Sequence, residues 1–253
     1  MDIETPILSH PKKPKSVPLI ASFTDDRNRL SYYHPILKQI ESINTPLTTF
    51  IGLDYDDVGG FNINCRKITE FMIDAQMRNS FIRSDFSSGK LNGVDGSKIQ
   101  SQDANDIRFD VFELIKQLSI TKRGIGSRLA VREWIPHDIE VRTFIRSGEL
   151  KYIDSCVHDG DITKDVRNVI GEDIGEIQSM ANDIANVFQT FAWSVDFIKH
   201  KKTNKWYCID MGLDGLYYDK ETEQWVSISE HHNQENSPCE HISDMPSRAK
   251  ITQ

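Results

Sequence analysis

The sequence contains little cysteine, and its cysteines are scattered. Four of them stand far apart along 253 residues, at Cys65, Cys156, Cys208 and Cys239, and no two form a C-x-x-C pair. This spacing argues against a disulfide framework and against a zinc site built on paired cysteines. We therefore expect free thiols in a reducing compartment and a cytoplasmic location.

Long apolar runs and an excess of positive charge are also lacking. No apolar run approaches the roughly 18 residues that cross a bilayer, and the first residues lack the apolar segment of a secretory signal, so we expect neither a membrane span nor a leader. The chain has 30 Lys and Arg against 38 Asp and Glu, a net charge of −8. That balance argues against nucleic-acid binding through a basic surface.

Helical and strand patterns alternate along the chain, and the second half reads as antiparallel. Apolar residues at helical spacing, such as Ile107, Val111 and Leu114, mark the helices, while period-two alternation marks the strands. The predicted fold class is therefore α/β of the α+β kind. The predicted helices span 27–42, 65–76, 107–118 (with Asp103 as N-cap) and 174–188, and the predicted strands span 18–23, 48–53, 80–83, 129–135, 140–147, 150–157, 191–199 and 205–211.

Phosphate-binding chemistry is indicated by residues 81–90, which read Phe-Ile-Arg-Ser-Asp-Phe-Ser-Ser-Gly-Lys. An apolar strand ends at a cation, and a small-residue loop follows and ends at a second cation. Backbone N–H groups of such a loop can close on phosphate oxygens while the two cations neutralise them. This is not the Walker P-loop, because Leu91 follows the glycine–lysine pair. The candidate residues are Arg83, Ser87, Ser88 and Lys90.

Two further elements carry acidic side chains. In the predicted strand 140–147, alternation places Glu140 and Arg142 together on the face opposite the core; the other interpretation is a cross-strand ion pair on a wet sheet face. In the predicted hairpin, a turn centred on Thr203 places Asp196 opposite Asp210, a pair that suits Mg²⁺ or Mn²⁺. The other interpretation is two strand-edge aspartates paired with lysines, and a two-residue loop would separate them onto opposite faces.

A third element is the apolar strand that runs into Pro136. Proline lacks an N–H and stops the sheet ladder, so the backbone just before it is a candidate for hydrogen bonding to a ligand. The other interpretation is an ordinary buried edge strand.

Taken in order, these elements resemble an ATP-grasp protein over about residues 78–218. Phe81–Arg83 resembles the strand that ends in the phosphate-binding lysine, with arginine in its place, and Ser84–Lys90 resembles the loop that covers the phosphates. Val131–Ile135 resembles the hinge that reads the adenine edge. Glu140-Val141-Arg142 resembles the acid-x-Arg step. The similarity is to a divergent clade with arginine in place of that lysine, which includes a eukaryotic assembly factor for translation initiation factor 2 and many phage and bacterial members.

The resemblance implies a nucleotide held between two antiparallel-sheet subdomains, with ATP and Mg²⁺ as cofactors. It assigns phosphates to Arg83 and Lys90, the transferred group to Arg142, and ribose to Glu140 or Asp138. The hinge residues would be Arg132, Glu133, Trp134 and Ile135. Asp196 and Asp210 would bind the metal, and Asp214 is the candidate third ligand because Gly212 stands where that ligand is usual. Arg132 replaces the usual hinge acid.

The implied activity is a carboxylate–amine or peptide-type ligation through an acyl phosphate. The carboxylate and amine substrates are unknown, with a protein or peptide among the candidates. The expected organisation is a disordered basic tail at 1–17, an α/β substrate-side subdomain at 18–77, the nucleotide-binding domain at 78–229 and a disordered tail at 230–253. One alternative is a non-catalytic ATP-binding assembly protein. A second is a nucleotidyltransferase or RNA ligase that uses Lys90 in Lys-Leu-Asn-Gly, and a third is an α/β protein without a nucleotide site.

Overall fold

The computed structural model describes residues 26–55, 61–86, 98–120, 126–146, 148–158, 161–163, 166–189, 192–213, 216–219 and 224–227. These residues form two compact units. We call residues 26–36 and 45–136 the N-unit, and residues 37–44 and 137–227 the C-unit. The chain leaves the N-unit at Pro136–His137. The predicted division of the chain at 77/78 into a substrate-side and a nucleotide-binding part stays a prediction.

The N-unit contains a five-stranded antiparallel sheet with the order β2-β1-β5-β3-β4. The register along each of its described strand pairs is regular, without a bulge. Its elements are a 3-10 helix at Asp26–Asn28, α1 at Leu30–Leu37, β1 at Thr48–Tyr55, β2 at Phe61–Ile63, α2 at Cys65–Asp74, β3 at Ser80–Ser84, β4 at Lys98–Ile99, α3 at Ala104–Ile120 and β5 at Arg128–Glu133.

The N-unit core forms between one face of this sheet and helices α2 and α3. Alternate strand residues such as Ile51, Ile82 and Val131 join one aliphatic cluster with Ile68 of α2 and Leu114 of α3. These positions follow the period of two along a strand and three to four along a helix, which is why the elements form where they do. The predicted N-cap of α3 is confirmed, since Oδ1 of Asp103 accepts from the backbone N–H of Asn105 at 2.8 Å.

The C-unit contains a second five-stranded antiparallel sheet, with the order β10-β9-β6-β7-β8, and a separate two-stranded sheet. Its register shifts at several points, and each shift marks an extra residue in one strand. The elements are β6 at His137–Arg146, β7 at Glu149–His158, β8 at Asp161–Thr163, α4 at Val166–Ile170, α5 at Ile174–Val187, β9 at Trp193–His200, β10 at Trp206–Leu213, β11 at Leu216–Asp219 and β12 at Gln224–Ser227.

The C-unit core is more aromatic than that of the N-unit. Trp193, Trp206 and Phe197 are fully buried, and Ile177 and Ile184 of α5 are buried as well. Helix α5 packs against β6 and β7. The turn between those two strands uses Gly148 at a φ of 81°, a conformation that favours glycine.

The predicted helices and strands are largely confirmed within the described residues, with corrected boundaries. The predicted helix 27–42 is instead a short 3-10 turn followed by α1, and β6 begins at His137. Pattern reading missed the short elements, which have two to five residues each: β2, β4, β8, α4, β11 and β12. The predicted strand 18–23 and the two predicted tails lie outside the described residues. Within the described ranges, no helix is both long and apolar enough to span a membrane.

Candidate functional site

Strand β6 has the two-faced arrangement that its sequence predicts. Val141, Thr143 and Ile145 are almost completely buried, while Glu140 and Arg142 alternate with them and lie on the other face. That second face belongs to the central strand of the C-unit sheet, between β7 and β9. It therefore brings side chains from neighbouring strands next to Arg142.

The β9–β10 hairpin places Asp196 directly opposite Asp210, as predicted. The route differs from the predicted one. From the turn outward, Trp206 pairs with Lys199 and Cys208 with Phe197, a register that leads to Ile209 opposite Asp196; a bulge at Ile209 then shifts the pairing by one residue. An extra residue in one strand reverses the alternation beyond it, so Asp210 joins Asp196 on the face of Arg142.

Arg142 binds Asp196 across the two strands with a bidentate ion pair. Its Nε donates to Oδ1 at 2.8 Å and its Nη2 donates to Oδ2 at 2.7 Å, and the two residues are directly paired in the β6–β9 register. The cross-strand ion pair that sequence reasoning weighed for Arg142 is thus present. Because Asp210 follows on β10, the three residues form one row across three strands.

The charges in this row act on one another. Burial raises the pKa of Asp196; the hydrogen bonds and charge of Arg142 oppose that rise, and the carboxylates of Asp210 and Glu140 add to it. In return, the hydrogen bonds and charge of Asp196 raise the pKa of Arg142. Three carboxylates and one guanidinium leave a net negative charge, which favours a cation at this face.

Ser194 is a neighbour of this row that sequence reasoning did not single out. It pairs with Gly212, and its hydroxyl donates to the Gly212 carbonyl at 3.3 Å. A Cβ placed on Gly212 would lie 3.4 Å from that hydroxyl oxygen. The signal was available, because Ser194 stands two residues before Asp196 in an alternating strand.

Asp214, the predicted third ligand, lies outside the described residues.

The row fits a divalent cation as two ligands rather than as a complete cage. No group of three or more His, Cys, Asp or Glu side chains in the described part of the chain is arranged to hold a metal. Magnesium is commonly bound by one or two carboxylates together with phosphate oxygens and water. Asp196 and Asp210 supply that number of carboxylates, so their donor chemistry fits Mg²⁺ carried by a nucleotide.

In the N-unit, the predicted phosphate-binding strand is present and ends at Ser84. Arg83 is only 3% exposed, and its Nε donates to the Ser84 carbonyl at 3.2 Å. It pairs with Ala130 of the neighbouring strand β5. The other predicted phosphate-binding residues, Ser87, Ser88 and Lys90, lie outside the described residues.

The residue after β3 has a structural role that sequence reasoning missed. Asp85 is 1% exposed, and its carboxylate accepts from the backbone N–H of Ser31 at 2.8 Å and from the Ser31 hydroxyl at 2.6 Å. Its carbonyl accepts from the N–H of Leu30 at 2.8 Å. Asp85 therefore caps the first turn of α1 from a distant part of the sequence, which no local pattern reveals.

Part of the predicted hinge before Pro136 already forms hydrogen bonds within the N-unit. The N–H of Glu133 donates to the Leu47 carbonyl at 2.8 Å, and the Glu133 carboxylate accepts from the Leu47 N–H at 3.3 Å. The Glu133 N–H is therefore already bonded within the N-unit, because the segment leading into β1 lies beside it, and the role of this backbone in holding a ligand stays a prediction. Strand β5 ends at Glu133, and Trp134–Pro136 follow it.

The remaining hinge residues lie in polar and aromatic surroundings. Arg132 is 4% exposed, and its Nε donates to the Thr48 hydroxyl at 3.2 Å. The Trp134 ring lies 6.3 Å from that of Phe81 and 4.6 Å from Nζ of Lys98. Ile135 is buried. In the C-unit, Asp138 is ion-paired with Lys201.

Comparison with solved structures shows an ATP-grasp fold. The D-alanine–D-alanine ligase from Coxiella burnetii matches 76% of this chain with a TM-score of 0.50 at 15% identity. This chain spans only 49% of that ligase. The likeness is one of fold, and it confirms the predicted ATP-grasp architecture with two antiparallel sheets.

Two other structures are similar over a comparable part of the chain. Cdc123 from Schizosaccharomyces pombe matches 75% of this chain and 84% of its own, with 13% identity and a TM-score of 0.49. A RiPP-associated ATP-grasp ligase from Chryseobacterium gregarium, in complex with ADP and a leader and core peptide, matches 75% of this chain and 53% of its own, with 13% identity and a TM-score of 0.45. No protein-family model and no curated protein sequence matches the chain.

Proposed function

We propose that this chain is an ATP- and Mg²⁺-dependent ligase of the ATP-grasp type, which joins a carboxylate to an amine. The observation that carries the proposal is the row Arg142–Asp196–Asp210 on one face of the C-unit sheet, in a chain with the ATP-grasp fold. Phosphoryl transfer needs positioning and charge neutralisation more than covalent chemistry from the protein. A row of two carboxylates and one guanidinium suits that task.

Each residue of the row has a separate role in this proposal. Asp196 and Asp210 hold Mg²⁺, and Asp214 is the proposed third ligand. Arg142 stabilises the negative charge on the transferred group. When bound, ATP supplies the phosphoryl group that activates the carboxylate, and Mg²⁺ neutralises its phosphate oxygens.

The remaining nucleotide contacts are proposed from the sequence assignments. Arg83, with Ser87, Ser88 and Lys90 of the following loop, would bind the phosphates, and residues 132–135 would contact the base. For the ribose hydroxyls we favour Glu140 over Asp138, because Glu140 lies on the face of Arg142. A protein or peptide is among the candidate substrates.

A non-catalytic ATP-binding protein is the second candidate, and Gly212 favours it. A glycine at this position supplies no side-chain oxygen beside Asp210, and the described part of the chain has no group of three or more His, Cys, Asp or Glu side chains arranged to hold a metal. Such a site can bind nucleotide and metal with weak or no turnover. ADP release in the presence of candidate carboxylates and amines separates the two candidates.

Calorimetry of ATP binding with and without Mg²⁺ tests the proposed site. We expect Mg²⁺ to tighten ATP binding to the wild type, and this effect to be lost in the variant Asp196→Asn/Asp210→Asn. Asp183→Asn is the matched control, because Asp183 is a C-unit aspartate on α5 that accepts from Ser42. Absence of ATP binding, or an unchanged Mg²⁺ effect in the double variant, would contradict the proposal.

Once a substrate pair is found, a single substitution tests the metal ligand. Asp210→Asn should abolish turnover while the circular dichroism spectrum and melting temperature remain close to those of the wild type. Normal turnover in this variant would exclude Asp210 as a metal ligand.

A further inference from the structure

The guanidinium of Arg142 lies against the two oxygens that a cation would need at Asp196. Both contacts are short, at 2.8 and 2.7 Å, and they use both carboxylate oxygens. A bidentate pair of this geometry is among the strong ion pairs in proteins. A divalent cation that binds Asp196 must therefore compete with a cation that the protein itself provides.

The two partners of this pair are unequally exposed. The Asp196 side chain is 11% exposed, whereas that of Arg142 is 49% exposed. Asp196 is fixed in the sheet, and the long side chain of Arg142 extends towards solvent. Arg142 is thus the partner that can move away without unfolding the strand.

The charged groups around the Arg142–Asp196 pair determine whether Arg142 leaves Asp196. Glu140 on β6 and Asp210 on β10 both act on the pair, and both are negative, so they hold the guanidinium in place. A free metal ion offers Arg142 no new partner and must displace it. A metal ion that carries a polyphosphate brings anionic oxygens, which bind guanidinium groups strongly.

We propose that Arg142 makes the Asp196–Asp210 pair selective for a divalent cation bound to a polyphosphate over the free cation. In this exchange the guanidinium moves from the carboxylate of Asp196 to phosphate oxygens, and the cation takes its place. No bond is made or broken apart from these ionic contacts. The inference rests on the proposed function, since it assigns a specificity role at the same site.

Removal of Arg142 should have opposite effects on the binding of free Mn²⁺ and on the binding of the Mn²⁺–ATP complex. We expect Arg142→Met to bind Mn²⁺ alone on the order of tenfold more tightly than the wild type, because the competitor is gone and one positive charge is removed. The same variant should bind the Mn²⁺–ATP complex more weakly. A merely structural role for Arg142 would weaken both.

The measurement is Mn²⁺ binding to the full chain, with and without ATP, followed by the electron paramagnetic resonance signal of free Mn²⁺. Arg146→Met is the matched control, because it removes the same charge four residues along β6 on the same face. It should leave Mn²⁺ binding within about twofold of the wild type, since a partly exposed charge farther away is screened. The gain must also disappear in Arg142→Met/Asp196→Asn. Arg142→Lys is a milder second variant that keeps the charge but cannot bridge both oxygens, and we expect an intermediate gain.

The outcomes separate this inference from the proposed function. If Mn²⁺–ATP binds the wild type but neither Arg142 variant gains affinity for free Mn²⁺ while both retain a native circular dichroism spectrum, the selectivity role is wrong and the ligase site stands. An equal gain in Arg146→Met would also overturn the role, since it would show a general charge effect. If no variant binds Mn²⁺ or Mn²⁺–ATP, both proposals fail.

Discussion

Among the described residues, each of the two units buries one aspartate, and the hydrogen-bond partners of the two aspartates differ in kind. Asp85 of the N-unit accepts from uncharged donors, the backbone and hydroxyl of Ser31 at the start of α1. Asp196 of the C-unit accepts from the guanidinium of Arg142. Both residues are at most 8% exposed, so burial alone does not distinguish them.

The difference lies in whether the partner can leave. The Ser31 donors are part of a helix and can move only if α1 moves, so Asp85 is a structural carboxylate. Arg142 is half-exposed and can exchange one anionic partner for another. A buried carboxylate is therefore a stronger indication of a binding site when its partner is a mobile cation than when it is a helix terminus.

The largest effect on stability should follow from removal of the Asp85 carboxylate. Asp85→Ala leaves the first turn of α1 without its cap and two partly buried donors without acceptors, which should lower the free energy of unfolding by about 2–3 kcal/mol. Urea unfolding followed by circular dichroism measures this loss. Asp85→Asn keeps an acceptor oxygen and should lose less than half as much. A loss below about 0.5 kcal/mol in Asp85→Ala would contradict the structural role.

Breaking the Arg142–Asp196 ion pair of the C-unit should lower the free energy of unfolding by less than the loss of the Asp85 carboxylate does. The size of the loss should also depend on which of the two partners is replaced. Arg142→Met leaves a buried carboxylate without a partner and should cost about 1–2 kcal/mol at pH 7, less than for a fully buried pair because Arg142 is half-exposed. Asp196→Asn leaves a guanidinium that water can reach, and should cost less than about 1 kcal/mol. Urea unfolding of both variants tests this order. A larger loss in Asp196→Asn would mean that Arg142 is the less mobile partner.

A metal ligand added beside Asp210 would further test the C-unit carboxylates as a binding site. Gly212→Asn places an amide oxygen beside Asp210, and its Cβ would make an ordinary contact with Ser194 at 3.4 Å. We expect Mn²⁺–ATP to bind several times more tightly, with stability changed by less than about 0.5 kcal/mol. Calorimetry measures the affinity, and Gly212→Ala is the control that adds volume without a ligand. Equal affinity in the two variants would mean that residue 212 does not face the metal.

The smallest expected effect on stability comes from Asp110 of α3, a partly buried carboxylate. Burial raises its pKa, and the charge of Asp106 raises it further. Its contribution to stability is therefore most favourable below its unfolded pKa, near 3.9, and is lost as the pH rises through the higher folded-state pKa. Asp110→Asn should be more stable than the wild type by about 0.5 kcal/mol or less at pH 7 and equal to it at pH 3.

Thermal unfolding between pH 3 and pH 7 measures this difference. The exposed Asp74 at the end of α2 gives the control variant Asp74→Asn, which removes a carboxylate from an exposed position. A gain for Asp110→Asn that is the same at both pH values would exclude the charge of Asp110 as its cause.

Local patterns predicted much of the fold because they report which face of an element is buried. The alternation of Val141, Thr143 and Ile145 gave the correct core face of β6, and Asp103 was a correct N-cap. Strands β2 and β4 were missed because two or three residues carry no period. Such strands exist only through the partners that they meet across the sheet.

The sequence predicted which residues form the candidate site, but it did not predict which of them contact one another. Glu140, Arg142, Asp196 and Asp210 were identified from the sequence, and the structure brings them to one face of the C-unit sheet. The pairing of Arg142 with Asp196 was not predicted, because it depends on the register between β6 and β9, which lie 54 positions apart at these residues. The cap formed by Asp85 was missed for the same reason.

The bulge at Ile209 also affects how this protein meets other copies of itself. Strand β10 lies at the edge of the C-unit sheet as described, and an edge strand is where another chain can add by strand pairing. Its first residues are already bound by Asn44, which accepts from the Cys208 N–H at 2.9 Å and donates to the Trp206 carbonyl at 3.0 Å. The bulge follows at once and interrupts the ladder. An incoming strand would therefore meet an interrupted ladder along the described part of β10, so the extra residue that aligns the carboxylates also disfavours strand pairing between copies of the chain.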